Sequence, residues 1–222
     1  MNSDIEMTKE FLYRIGHKPI TLTAIQEPSV FSSQFDSYLS AASWAETFNK
    51  QGYKLYYSVN VMRRLTSEEL EAGKRGGAAD VVEVFGFPVD IDVRTKIRPA
   101  SDKEREPLPM TVAMILDYLN MIGLGKPIII DSGNGVQLVI PFKPRITMCD
   151  AKEQERVSNR FARFQAVLQQ KFNTDEVKLD SVADLARVMA LPGTLKWKLD
   201  GISDFTPERP NRTVKVLDWG DL

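Results

Sequence analysis

Cysteine and histidine each occur once in the 222 residues, as Cys149 and His17. A lone thiol excludes an internal disulfide and any cysteine-based zinc site, and it suits a reducing compartment. A lone imidazole excludes a histidine-rich metal site, and a Ser-His-Asp triad elsewhere in the chain. No apolar run approaches the ~18 residues of a membrane helix, and the N-terminus lacks a basic-then-apolar leader. The expectation is a cytoplasmic protein with no membrane partner. A charge excess of either sign is missing too: 29 Lys and Arg meet 30 Asp and Glu, for a net charge of −1. A nucleic-acid partner must therefore be held by a local basic patch and not by a globally basic surface. Neither a GxxxxGK(S/T) phosphate loop nor a GxGxxG dinucleotide fingerprint is present. There is no internal repeat, low-complexity segment or long linker. What remains, 43% apolar and 27% charged residues, is ordinary for a soluble globular protein. The length suits one large domain, or one domain of two fused halves.

Apolar periodicity divides the chain into alternating helices and strands. Helices are expected over residues 3–15, 34–51, 110–122 and 151–172, where apolar positions recur at three- and four-residue spacing. A short helical patch, TSEELEAG, takes Thr66 or Ser67 as its cap, and another helix is expected over 181–189 with Ser181 as cap. Strands are expected over 20–25, 53–61, 82–93, 128–131, 136–142, 177–180 and 214–216. Residues 94–109 (RTKIRPASDKEREPLP) read as a mobile loop, and Leu191-Pro192-Gly193-Thr194 as a turn. The pattern is α/β, a single domain over 1–222. A seam near residue 81 separates an N-terminal half from a C-terminal half.

The chemistry concentrates at the end of the 82–93 strand, in VDIDVRTK. Asp90 and Asp92 are two residues apart, so they share a strand face at about 7 Å separation. Two carboxylates so placed repel unless a cation lies between them, and they make an oxygen seat for Mg²⁺ or Mn²⁺. Two solvated aspartates at a strand end are the plainer alternative. The SGNG turn, Ser132-Gly133-Asn134-Gly135, joins two strands and offers successive backbone N–H groups to a phosphate. It is equally a bare hairpin turn. A third strand ends in Asp180, ahead of an Arg- and Lys-bearing segment. Lys74-Arg75-Gly76-Gly77 is an exposed basic loop just before the carboxylate strand.

In order and spacing, VDID, then SGNGVQL, then DSVADLARVMALPGTLKWK resemble the motifs of the archaeo-eukaryotic primase superfamily. The likeness is greatest to the primase-polymerases of phages, plasmids and CRISPR-associated loci, and it spans residues 53–198. Asp90 and Asp92 match the family's first motif, a hydrophobic strand with DxD or DxE. Gly135-Val136-Gln137 matches its second, with Gln137 where His is usual. Leu179-Asp180 matches its third, and Arg187 with Lys196 or Lys198 resembles the basic residues that follow.

The resemblance implies an RRM-like sheet (residues 82–222) joined to a smaller α/β half (1–81). It implies a primase and DNA polymerase working on a single-stranded DNA template and primer with NTPs or dNTPs. Asp90, Asp92 and Asp180 would hold two Mg²⁺ or Mn²⁺ ions about 3.5–4 Å apart. Ser132, Gly133, Asn134, Gly135, Gln137, Arg187, Lys196 and Lys198 would bind the nucleotide. Arg63, Arg64, Lys74 and Arg75 would meet template phosphates. A helicase or other fused module beyond this chain is compatible with that role. Two other classes stay open: an RRM-like nucleic-acid-binding module without catalysis, and a DxD sugar-nucleotide transferase. The transferase leaves the segment from Arg187 to Lys198 without a specific role. The binding module would be favoured by stacking aromatics that residues 136–142 lack. A polymerase-β-type transferase needs a Gly-Ser helix start before its DxD, which residues 76–89 do not have.

Overall fold

The computed structural model of the chain describes residues 3–94, 99–197 and 209–222. In chain order the first elements are α1 (Ile5–Ile15), β1 (Ile20–Gln26), β2 (Ser29–Phe35), α2 (Tyr38–Lys50), β3 (Lys54–Ser58), β4 (Val61–Met62) and α3 (Ser67–Glu71). A 3-10 turn, Ala78–Asp80, leads into β5 (Val81–Val93), α4 (Asp102–Arg105), α5 (Leu108–Met121), β6 (Ile128–Asp131) and β7 (Val136–Thr147). Then follow α6 (Ala151–Phe172), β8 (Val177–Leu179), β9 (Val188–Ala190) and β10 (Lys215–Asp218).

Local chemistry sets most boundaries. Asp4 caps α1 by accepting from the Met7 N–H, and Gly16 ends it at φ 62°, a left-handed conformation that glycine adopts without strain. Thr66, not Ser67, caps α3, in a reciprocal box with Glu69. Asp150 caps α6, whose bounds match the apolar spacing. The expected helix over 34–51 starts only at Tyr38, because Ser37 is the cap and the residues before it belong to β2. That strand, SVFSSQF, has little apolar alternation. It is held instead by its full antiparallel register with β1, from Ile20↔Phe35 to Gln26↔Ser29.

Two antiparallel sheets result. The first runs β2-β1-β3-β9 and the second β10-β6-β7-β5-β4, with β8 also on β5. β4 pairs the start of β5, while β8 pairs its end through Ile91↔Leu179 and Val93↔Val177. The run β5-α5-β6-β7-α6-β8 is therefore the βαββαβ unit of an RRM, in strand order β8-β5-β7-β6. Helices α5 and α6 share one face of it. Phe87, Val89, Ile91, Leu138 and Ile140 pack there against Ile115, Leu119, Phe161 and Leu168. The opposite face contributes Phe85, Ile128, Ile130 and Val139 to a second core. That core includes Phe11 and Leu12 of α1, and Leu22, Leu55 and Met189 of the first sheet. A sheet buried on both faces explains why β5 reads as a nearly continuous apolar run.

A register irregularity between Val84 and Gly86 lets β7 continue to Thr147, beyond the expected end at 142. A side chain at Gly86 would put its Cβ 2.5 Å from the Ile140 oxygen, so only glycine fits there. Asn60 pins the irregularity: its Oδ1 accepts from the Phe85 and Gly86 N–H groups, and its amide donates to Leu185.

Two expectations are corrected. Residues 181–189 form no helix; a turn leads directly into β9. Side chains of α6, and Asn173 just after it, hold the chain on either side of Ser181. Gln165 donates to the Asp180 carbonyl and accepts from the Val182 N–H, Gln169 donates to Leu179, and Asn173 accepts from the Leu179 N–H. Nor is 94–109 a continuous loop. Ser101 and Glu104 form a capping box at α4, and α5 starts at Leu108 with Pro109 in its first turn, where a missing N–H breaks no helix bond. Arg105–Asp131, Arg209–Glu104 and Arg212–Asp102 ion pairs anchor this stretch. Residues 95–98 lie outside the described residues. No helix among the described residues is long and apolar enough to cross a membrane.

Candidate active site

Asp90 and Asp92 leave β5 on the face opposite Val89, Ile91 and Val93, which are buried under the helices. Across the ladder Asp90 is paired with Gln137, and Asp92 with Lys178. The Asp180 N–H donates to the Asp90 carbonyl at 2.9 Å, which fixes the chain just beyond β8 against β5. The β6–β7 turn closes on the same point. A Cβ at Gly135 would lie 2.1 Å from the Ile91 oxygen and 2.5 Å from Asp92 Oδ1, so glycine alone permits this approach.

Burial, and next the charge of Asp92, push the Asp90 carboxyl up to about 6. Lys196 pulls it down, Asp180 adds to the rise, and Arg187 lowers it again. Three carboxylates and two cations therefore share one electrostatic field. Arg187 Nη2 is 3.8 Å from Asp90 Oδ2, an ion pair too long for a hydrogen bond. The Lys196 ammonium lies 4.9 Å from the Tyr56 ring centroid. Gln137 is buried beside Asp90, and its Oε1 has no hydrogen-bond partner among the described residues; neither has the buried Arg187 Nε. A buried acceptor and a buried donor left open beside Asp90 are expensive unless a ligand or solvent meets them.

The carboxylates offer oxygen ligands of the kind Mg²⁺ and Mn²⁺ take; burial is the main cause of the upward shift of Asp90, and the smaller part due to Asp92 and Asp180 is the repulsion such an ion would relieve. Asp180 shares the field, but its carboxylate rests on Lys178 Nζ at 2.6 Å. Among the described residues no group of three His, Cys, Asp or Glu side chains is gathered closely enough to hold a metal ion. The donor chemistry fits a divalent ion; a closed three-carboxylate ligand set is not formed.

The SGNG turn departs from expectation. Its Ser132 N–H donates to the Gly135 carbonyl, the Gly133 N–H to Asp131, and the Gly135 N–H to the Ser132 hydroxyl. These amides stabilise the turn itself and are not a row of open donors for a phosphate. The Asn134 side chain accepts from Ala100, which ties the turn to the 99–102 segment.

The four expected template residues gather elsewhere. Arg63 donates to Asp80 at 2.6 Å and pairs with Glu69 at 2.7 Å. These bonds hold the guanidinium charged and draw Glu69 down to about 2. Arg64 pairs with Asp36. Lys74 and Arg75 line a cavity of about 540 Å³ together with Glu69 and Asp80. Asp80 precedes β5 and Asp90 is near its end, so the two groups are separated by roughly 30 Å of strand at ~3.3 Å per residue. Lys198 lies outside the described residues.

Sequence reasoning missed Lys178, Tyr56 and Gln165. Lys178 had a signal, since K-L-D puts it two residues from Asp180 on one strand face. Gln165 had one as well: it is a polar residue in the buried stripe of α6 with Phe161 and Leu168. Tyr56 had none, because its neighbour Lys196 comes from a distant part of the chain.

No family model and no curated protein matches the chain. Solved structures do. The archaeo-eukaryotic primase domain of the cyanophage S-2L primase-polymerase superposes with a TM-score of 0.56 at 13% identity, covering 98% of this chain and 91% of that one. Primase RepB′ superposes at 0.51 and 12% identity, covering 97% of this chain and 56% of that one. The chain has the mixed α/β fold of an archaeo-eukaryotic primase catalytic domain, so the resemblance carried by the three motifs holds at the level of the fold.

Proposed function

We propose that the chain is a template-dependent nucleotidyltransferase, a primase-polymerase that extends DNA or RNA strands from nucleoside triphosphates. The observation that carries this is the shared field of Asp90, Asp92, Asp180, Arg187 and Lys196 at one strand end. The primase fold supports it. Asp90 and Asp92, with Asp180 released from Lys178, would hold the divalent ions. Bound there, Mg²⁺ or Mn²⁺ supplies charge neutralisation for the attacking hydroxyl and the departing pyrophosphate. Arg187 and Lys196, with Lys198, neutralise the triphosphate. The open Gln137 Oε1 accepts from a ligand hydroxyl or amino group, since a phosphate oxygen has no proton to give it. Ser132, Gly133, Asn134 and Gly135 shape the floor of the site through the close approach at Gly135 and the one amide, Asn134 N–H, that the turn itself does not use. Lys74 and Arg75 would meet phosphates of a single-stranded DNA template at a distance from the chemistry. Arg63 and Arg64 act there mainly by holding the α3 loop.

The test is extension of a labelled primer on a DNA template with Mg²⁺ or Mn²⁺ and NTPs or dNTPs. Wild type should add nucleotides. Asp92→Asn should abolish addition while leaving template binding, read by anisotropy, within about twofold, because binding of phosphates does not pass through the carboxylates. Wild-type extension by Asp92→Asn would overturn the assignment.

A further inference from the structure

The helix-covered face of the second sheet, opposite the carboxylates, carries a cavity of about 300 Å³. Its walls are apolar, with Phe87 and Ile140 from the sheet, Phe142 from β7, and Phe161 and Phe164 from α6. The rings meet edge-on or tilted: Phe87 and Phe161 at 4.8 Å and 83°, Phe87 and Phe164 at 5.0 Å and 62°. They enclose a hollow and present no flat platform on which a base could stack.

Arg156 and Arg160 stand at the rim. With Lys152 and Arg163 they fall on one stripe of α6, at spacings of three and four residues, and all four are exposed. Arg156 pairs with Glu153 at 2.7 Å, a surface contact of little strength. Arg160 and Arg163 take part in no ion pair among the described residues.

We propose that the cavity and this arginine stripe form a docking site for an acidic peptide segment of another protein. One aromatic or leucine side chain fills the hollow, and flanking carboxylates meet Arg156, Arg160 and Arg163. Guanidinium groups bind carboxylates in bidentate fashion. An apolar anchor surrounded by charged contacts is the arrangement in which a few residues dominate binding. The site lies across the sheet from the candidate active site, so a partner there leaves the cleft open.

The experiment uses a fluorescein-labelled peptide, rich in Asp and Glu around a central Phe, titrated by anisotropy with the whole chain at low ionic strength. A dissociation constant on the order of 10 µM is expected. It should weaken about tenfold in the R156E/R160E variant, and by a similar factor when the peptide's Phe is replaced by Ala. A thermal melt confirms that the exposed substitutions leave the fold intact. Absence of saturable binding overturns the proposal, as does equal affinity for the Ala peptide. Displacement of the peptide by oligothymidylate that itself needs Arg156 and Arg160 also overturns it, in favour of a nucleic-acid track.

Discussion

Arg187 reaches its place through a backbone bond, not through a helix. The Val59 N–H donates to its carbonyl at 3.0 Å, and its guanidinium hangs 3.8 Å from Asp90 with Nε unpartnered among the described residues. A guanidinium so poised can meet the oxygens of a triphosphate without first breaking a strong bond. Arg187→Ala should raise the KM for nucleotide roughly ten- to a hundredfold, as a charge-assisted bond of ~1.5–3 kcal/mol requires, and leave that for template nearly unchanged. Steady-state titration of each substrate checks this, and equal increases in both would contradict it. His17 is the other residue whose environment makes a prediction. It is fully buried, with Nδ1 3.1 Å from the Ile15 carbonyl and Nε2 2.8 Å from the Val59 carbonyl. Burial lowers it to about 4, despite those carbonyls. The unfolded chain binds a proton near pH 6.5 that the folded chain refuses, so stability is full above that pH and declines as pH falls from about 6.5 toward 4. The loss should approach about 3 kcal/mol. The Asp90 carboxyl, raised to about 6, acts in the opposite sense over the same window, so the His17 contribution is read by denaturant unfolding as the fall in wild-type stability relative to His17→Gln between pH 6.5 and 4.

At the scale of elements, the segment after β8 shows how side chains can replace secondary structure. Gln165 bridges the Asp180 carbonyl and the Val182 N–H from within the buried face of α6. It is a positioning residue for Asp180. Gln165→Leu keeps the apolar packing but takes this partner from a buried N–H and a part-buried carbonyl. The expected cost is about 2–4 kcal/mol, with a loss of primer extension that exceeds any loss of template binding. Urea unfolding and extension assays read the two effects separately; unchanged stability would show that the bridge carries no load. The β6–β7 turn works in the opposite sense. Its sequence favours a tight hairpin, and its closeness to Asp92 depends on the missing side chain at Gly135.

At the scale of the molecule, the two sheets exchange strands. β9, from beyond residue 81, pairs β3 in the first sheet, while β4, from before it, pairs β5 in the second. Asn60 bonds to both Leu185 and the β5 irregularity, and Asn49 bonds to Leu195 in both directions. A cut at residue 81 therefore removes an edge strand from each sheet and opens the second core. Residues 82–222 produced alone should lack a cooperative melt and bind a hydrophobic dye, and the whole chain should unfold in one transition. A cooperative melt of the isolated fragment would mean that the halves fold independently.

The elements that sequence alone determined are those whose signal is local. The stripe of α6, a cap at Thr66 or Ser67, the β6–β7 hairpin and the placement of Asp90 and Asp92 on one strand face all follow from periods of 3.6 and 2 and from capping chemistry. Spacing of the three motifs also picked out Asp90, Asp180 and Arg187, whose charges act on one another in the fold. Tertiary structure decided what depends on partners far along the chain. β2 exists because β1 offers it a register, not because its polar sequence prefers a strand. Residues 181–189 are not a helix: Gln165 of α6 accepts from the Val182 N–H, and the chain runs on into β9, which pairs β3. The SGNG amides close on their own turn, and Arg63 turns to Glu69 and Asp80, because a hydrogen-bonding group uses the nearest partner that folding supplies. Those partners are fixed only when the sheets close, and that is the step a local pattern does not encode.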